Sequence, residues 1–122
     1  MKSTIHQPDP TTEILTQEGC WILESWNSPG DAAVSIARAR VTPGTTTQLH
    51  RLLGVEERYL IIAGSGLVKI GSLAPAKVGP GDIVVIPAGE PQQVTNNGKT
   101  DLIFYCVCTP RFTPACYQPC AV

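Results

Sequence analysis

The distribution of glycine and proline constrains this chain more than any other feature. Eleven glycines and eleven prolines fall among 122 residues, spread along the whole length. Both residue types interrupt regular elements and mark turns, so no long helix fits between them. Two stretches concentrate the punctuation. Pro43-Gly44 opens a run that delivers His50, Glu57 and Gly64, and Gly81, Pro87 and Gly89 frame the apolar segment Ile83–Ile86 before Gln92 and Asn96. The segments between turns are short and rich in β-branched residues, with apolar and polar positions alternating as in Ala33 to Val41. Alternation at period two is the signature of half-buried strands. No helical periodicity of useful length and no internal repeat are present. About nine or ten short strands in one all-β domain is the expected architecture, closed as a sandwich or barrel.

Strands are expected at Glu13–Thr16, Cys20–Trp26, Ala33–Val41, Thr45–Leu52, Glu57–Ala63, Leu67–Ile70, Ile83–Ile86, Gln92–Asn96 and Leu102–Cys108. Gly64-Ser65-Gly66 and Asn97-Gly98 read as hairpin turns, because glycine supplies the positive φ that tight turns need. Gly71–Lys77 reads as a loop. The division expected is an N-terminal arm and edge strands over 1–32, a barrel over 33–109, and a proline-interrupted tail over 110–122.

Charge narrows the function classes. The formal net charge is −1 and no basic run occurs, which disfavours nucleic acid and anionic membrane as partners. The longest apolar runs are too short to span a bilayer as helices. The first residues, Met1 to Pro8, lack the apolar core of a secretory signal, so a cytoplasmic location is expected. The five cysteines, Cys20, Cys106, Cys108, Cys116 and Cys120, are odd in number and read as small buried hydrophobes. A Cys-x-Cys inside a strand, as at 106–108, is a poor zinc chelate.

The two punctuated stretches resemble the signature motifs of the cupin superfamily. The first motif runs Gly, five residues, His-x-His, three or four residues, Glu, six residues, Gly; here it reads Gly44, His50, Leu52, Glu57 and Gly64. The second runs Gly, five residues, Pro-x-Gly, two residues, His, three residues, Asn; here it reads Gly81, Pro87, Gly89, Gln92 and Asn96. The resemblance covers about Ala33 to Thr109 and implies the double-stranded β-helix, or jelly-roll barrel. In cupins with the full motif, three histidines and a glutamate bind a divalent metal such as Fe, Mn, Ni, Cu or Zn. Carried across, His50 and Glu57 remain, Gln92 takes one histidine position and Leu52 takes the other.

What the resemblance implies about function is therefore open. One expectation is a metal site of His50, Glu57 and Gln92, with Glu57 and Tyr59 catalytic in a dioxygenase, isomerase, decarboxylase or lyase. The amide oxygen of glutamine is a weak neutral ligand, and three protein ligands plus water would make an open site. The alternative is a metal-free binding module or sensor holding a small molecule against the pocket residues Leu52 and Tyr59. A metal-free acid–base pair of His50 and Glu57 is a third reading. Period two places Glu57 inward and Glu56 outward, and makes Glu57 the expected partner of His50. Arg38 and Arg40 share a strand face and are candidates for binding a carboxylate substrate. Arg111 is expected to clamp the tail and His6 to lie uninvolved in the arm. A homodimer is expected, with the strands up to Trp26 supplying a shared sheet.

Overall fold

The computed structural model describes residues 1–121. Eleven strands run in chain order as β1 (Ile14–Leu15), β2 (Trp21–Trp26), β3 (Ser35–Val41), β4 (His50–Leu52), β5 (Glu56–Ala63), β6 (Gly66–Ile70), β7 (Ala76–Val78), β8 (Ile83–Ile86), β9 (Gln92–Thr95), β10 (Leu102–Thr109) and β11 (Tyr117–Pro119). They form two antiparallel sheets, ordered β1-β2-β3-β10-β5-β8 and β11-β4-β9-β6-β7. From β3 onward the chain passes repeatedly between the sheets, the winding of a double-stranded β-helix. The only helices among the described residues are 3₁₀ turns at Pro10–Thr12 and Pro114–Cys116. Neither is long or apolar enough to cross a membrane.

Strand alternation explains the packing. Along β5, Glu57, Tyr59 and Ile61 are buried while Glu56, Arg58, Leu60 and Ile62 are exposed. Along β10, Leu102, Phe104, Cys106 and Cys108 are buried. These faces meet Val68 and Ile70 of β6 and Val94 of β9 in one core between the sheets. A smaller cluster of Leu52, Val55, Cys108 and Cys116, flanked by Phe112 and Tyr117, closes one end. All five cysteines are free thiols, four of them buried.

Several local expectations differ from the structure for identifiable reasons. Gly64-Ser65-Gly66 is not a hairpin, because β5 and β6 belong to different sheets. It is a corner where two backbones nearly touch: a Cβ on Gly64 would lie 2.3 Å from the Asp101 carbonyl oxygen, and one on Gly66 2.8 Å from that of Thr95. Asn97-Gly98 likewise joins β9 to β10 across the sheets rather than within one. There the fully buried Asn96 side chain donates to the carbonyls of Val41 and Thr100 at 2.8 and 2.9 Å and accepts from Gly98 N–H at 2.9 Å. The strand expected over Thr45–Leu52 shrinks to His50–Leu52, because the preceding backbone bonds in several directions. Thr47 N–H donates to Val94 at 2.8 Å, Gln48 N–H to Glu18 at 2.8 Å, and Val94 N–H to the Thr47 hydroxyl at 3.0 Å. The expected loop over 71–77 contains the start of β7, paired with β6 from Gly66↔Val78 to Val68↔Ala76.

The segments outside 33–109 contribute strands to both sheets. β2 pairs with β3 from Trp21↔Arg40 onward, and β11 from the tail pairs with β4 through Tyr117↔Leu52. Arg111 holds the tail as expected, donating from Nε to Asn27 Oδ1 at 3.0 Å. His6, expected to be uninvolved, packs edge-on against Trp26 with ring centroids 5.8 Å apart.

Candidate functional site

Between the sheets lies a cavity of about 370 Å³. His50 and Leu52 reach it from β4, Glu57 and Tyr59 from β5, Phe104, Cys106 and Cys108 from β10, and Tyr117 from β11. The N-terminal segment supplies a whole wall: every second residue from Thr12 to Glu24 faces the space. Two of these, Glu18 and Glu24, are carboxylates that the motif comparison does not contain. Their shared parity with Cys20 and Ile22 is the sequence signal that marks them, since period two carries a strand's inward face.

The four motif positions do come together. His50, Leu52, Glu57 and Gln92 are all buried, and His50 and Gln92 are direct cross-strand partners. Their hydrogen bonds show how each is used. His50 Nδ1 lies 2.8 Å from the Gln48 carbonyl, which can only accept, so Nδ1 carries a proton and Nε2 is the ring nitrogen left for other contacts. The ring stacks on Tyr117, with centroids 4.8 Å apart and planes 22° from parallel. Its nearest carboxylate contact is Glu18, 3.7 Å from Nδ1, rather than the expected Glu57.

Glu57 Oε2 accepts a hydrogen bond from the Cys108 thiol at 3.5 Å, while Oε1 is buried without any partner. Burial pushes the Glu57 carboxyl above its ordinary value, opposed by the Gln92 side chain and the His50 ring. Burial likewise raises Glu18, against the pull of His50, and partial desolvation raises the more exposed Glu24, against Asn27 and Arg111. Desolvation with the nearby Glu57 charge holds the Cys108 thiol well above the usual range, so it stays protonated and able to donate. Gln92 Oε1 accepts from the Tyr59 hydroxyl, and its Nε2 has no partner. Tyr59 itself packs on Phe104, centroids 4.5 Å apart.

This donor set is thinner than that of the full motif. Gln92 offers metal ions only its neutral amide oxygen, a weaker ligand than imidazole, which also accepts from Tyr59. Leu52 fills the fourth position with hydrocarbon. Two strong donors remain, His50 Nε2 and a Glu57 oxygen, with Gln92 as a weak third. Among the described residues, no group of three or more His, Cys, Asp or Glu side chains is placed to hold an ion.

The arginines expected to meet a carboxylate substrate point elsewhere. On β3, Ala37 and Ala39 face the cavity while Arg38 and Arg40 lie on the opposite face. Arg40 pairs with Glu13 at 2.5 Å and Asp101 at 3.4 Å, and Arg38 pairs with Glu13 at 3.5 Å. No lysine or arginine lines the cavity.

Comparison with known proteins matches this architecture to a family. The model of the cupin domain matches residues 37–108. An uncharacterised protein of Methanocaldococcus jannaschii is 33% identical over 115 residues, covering 93% of this chain and 91% of that protein. The oxalate-binding protein of Thermotoga maritima is 36% identical over 72 residues, 58% of each chain. Among solved structures, an uncharacterised Klebsiella pneumoniae protein with a double-stranded β-helix domain superposes with a TM-score of 0.78 at 16% identity, covering 99% of this chain and all of that one. With both motif frames in register, the cavity between two antiparallel sheets and the family match across its centre, this chain belongs to the cupin family.

Proposed function

We propose that this cupin binds a small organic molecule in its central cavity without a resident metal. One observation carries the reading: the buried carboxylate of Glu57 lines the cavity, and its Oε1 closes no hydrogen bond. A buried polar atom without a partner is costly, and a ligand donor is the natural group to satisfy it. His50 Nε2 offers a second polar contact, while Leu52, Tyr59 and Phe104 supply apolar surface. A cavity of about 370 Å³ holds about a dozen waters' worth of volume, suited to a small metabolite. The relative named for oxalate binding supports a small-molecule role for this barrel.

A second reading, an acid–base enzyme, is favoured by the raised carboxyl of Glu57 beside Tyr59. Such a carboxyl holds its proton more tightly than a free one and can pass it to a bound molecule. The same reading takes the chain as a cytoplasmic homodimer. Free buried thiols fit a reducing compartment, and the edge strand β1 leaves Ile14 and Leu15 62% and 57% exposed. A single monomeric species in sedimentation at micromolar concentration would overturn the dimer.

The function is tested by elemental analysis of purified protein together with divalent-metal titrations of it and of Glu57→Ala. The expected result is no stoichiometric metal and no ion bound more tightly than by the variant. Tight binding of a metal that Glu57→Ala abolishes would overturn the metal-free reading.

A further inference from the structure

The charge of the cavity selects its ligand. Three carboxylates, Glu18, Glu24 and Glu57, line it, and neither lysine nor arginine does. The one basic group on the wall, His50, already donates its Nδ1 proton to a backbone carbonyl. The parity of β3 turns Arg38 and Arg40 to the other face, where Glu13 and Asp101 hold them. Acidic clustering alone would say little. Glu57 adds a second sign, because it is only 8% exposed and its Oε1 atom closes no hydrogen bond, although the Gln92 side chain lies close enough to favour the charged carboxylate. The molecule thus presents a buried carboxylate that Cys108 satisfies at one oxygen and that closes no bond at the other.

Resting on the metal-free reading above, we infer that the ligand is a small organic cation: an ammonium or amidinium head on an apolar body. The head meets Glu57 and Glu18, charge-assisted bonds being the stronger class. Tyr59, Phe104 and Tyr117 line the same space, and aromatic faces attract cations within about 6 Å. Ile22 and Val94 pack the body. A free dicarboxylate such as oxalate would bring two negative charges to a wall that already holds three carboxyl groups and offers no fixed cation, so the ligand class departs from that of the Thermotoga relative.

The test measures binding by calorimetry and thermal shift in EDTA, with benzylamine and benzamidine as cations, benzyl alcohol as a neutral isostere, and benzoate and oxalate as anions. Each is repeated with manganese or zinc replacing EDTA. The expected result is that a cation binds in EDTA at least tenfold more tightly than benzyl alcohol or either anion. Glu57→Gln and Glu18→Gln should each weaken it at least fivefold, and Glu18→Gln keeps the test decisive if the first variant misfolds. Benzyl alcohol or an anion binding as tightly as the amines in EDTA overturns the cation assignment and leaves the metal-free reading standing. Anions bound only with added metal overturn both. Failure of both cations to bind overturns the assignment, and failure of every probe in EDTA overturns the metal-free reading with it.

Discussion

The hydroxyl of Tyr59 donates to the side-chain oxygen of Gln92, and both residues are almost wholly buried. This bond links the two sheets, because Tyr59 lies on β5 and Gln92 on β9. It also decides what Gln92 can do. With Oε1 on Tyr59, the Gln92 side chain also favours the Glu57 carboxylate, so Gln92 positions Tyr59 beside Glu57.

Tyr59→Phe should therefore destabilise the fold while hardly changing core volume. It leaves Gln92 Oε1 without a donor in a dry environment, a loss on the order of 1–3 kcal/mol. Urea unfolding should show a lower midpoint with an unchanged m-value. An unchanged midpoint would mean that the bond is not formed in solution.

The same geometry predicts how a metal site could be restored. The double variant Leu52→His/Gln92→His returns the resembled motif to its full complement around His50 and Glu57. Zinc or nickel should then raise the melting temperature of the double variant by several degrees, since binding to the native state alone stabilises it by mass action. The parent protein should show no such shift. An equal shift in both would place the metal donors elsewhere.

Glu57 gives the fold a pH dependence. Its folded pKa is raised by burial above the ordinary 4.5, so the native state holds the proton more tightly than the unfolded chain. Its contribution is fully present below that ordinary value and is lost as pH rises through the folded value. Glu57→Gln removes this ionisation and should stabilise the protein, with a gain that grows from pH 4 toward pH 8. Chemical denaturation of both proteins at a series of pH values measures it, and a gain that shrinks with pH would contradict the burial argument.

Much of the site was legible in the sequence because it depends on strand parity. His50 with Leu52, and Glu57 with Tyr59, share inward faces by counting in twos, and the structure buries all four. Glu18 and Glu24 follow the same parity but sit outside the motif frames, so they were missed. The partner of His50 was misread because sequence spacing favoured Glu57, whereas the fold brings in Glu18 from the segment before β2. The turns were legible as turns but not as to which strands they join. A glycine pair signals a tight bend equally well within a sheet and between two sheets, and only the pairing of β10 with β3 and β5 distinguishes them. Tyr117 lay hidden in a tail whose prolines read as irregular, yet it forms part of β11 and stacks on His50.

The motif glycines separate by what surrounds them, and this yields a graded prediction. Gly44, Gly64, Gly81 and Gly89 all have positive φ, between 77° and 90°. A side chain there costs backbone strain of about 1–2 kcal/mol. At Gly44, Gly81 and Gly89 nothing lies within 4 Å of an added Cβ, so alanine should cost that strain alone. At Gly64 the added atom would meet the Asp101 carbonyl oxygen at 2.3 Å and the Leu102 Cα at 3.0 Å, both backbone that β10 holds in place. Gly64→Ala must therefore part the β5–β6 corner from the start of β10, next to the fully buried Leu102. Against a total stability of about 5–15 kcal/mol for a domain of this kind, Gly44→Ala should remain folded with a modest fall in melting temperature. Gly64→Ala should lose considerably more, to the point of poor soluble yield. Equal losses at the two positions would show that the corner relaxes freely and that its glycine serves only the backbone angle.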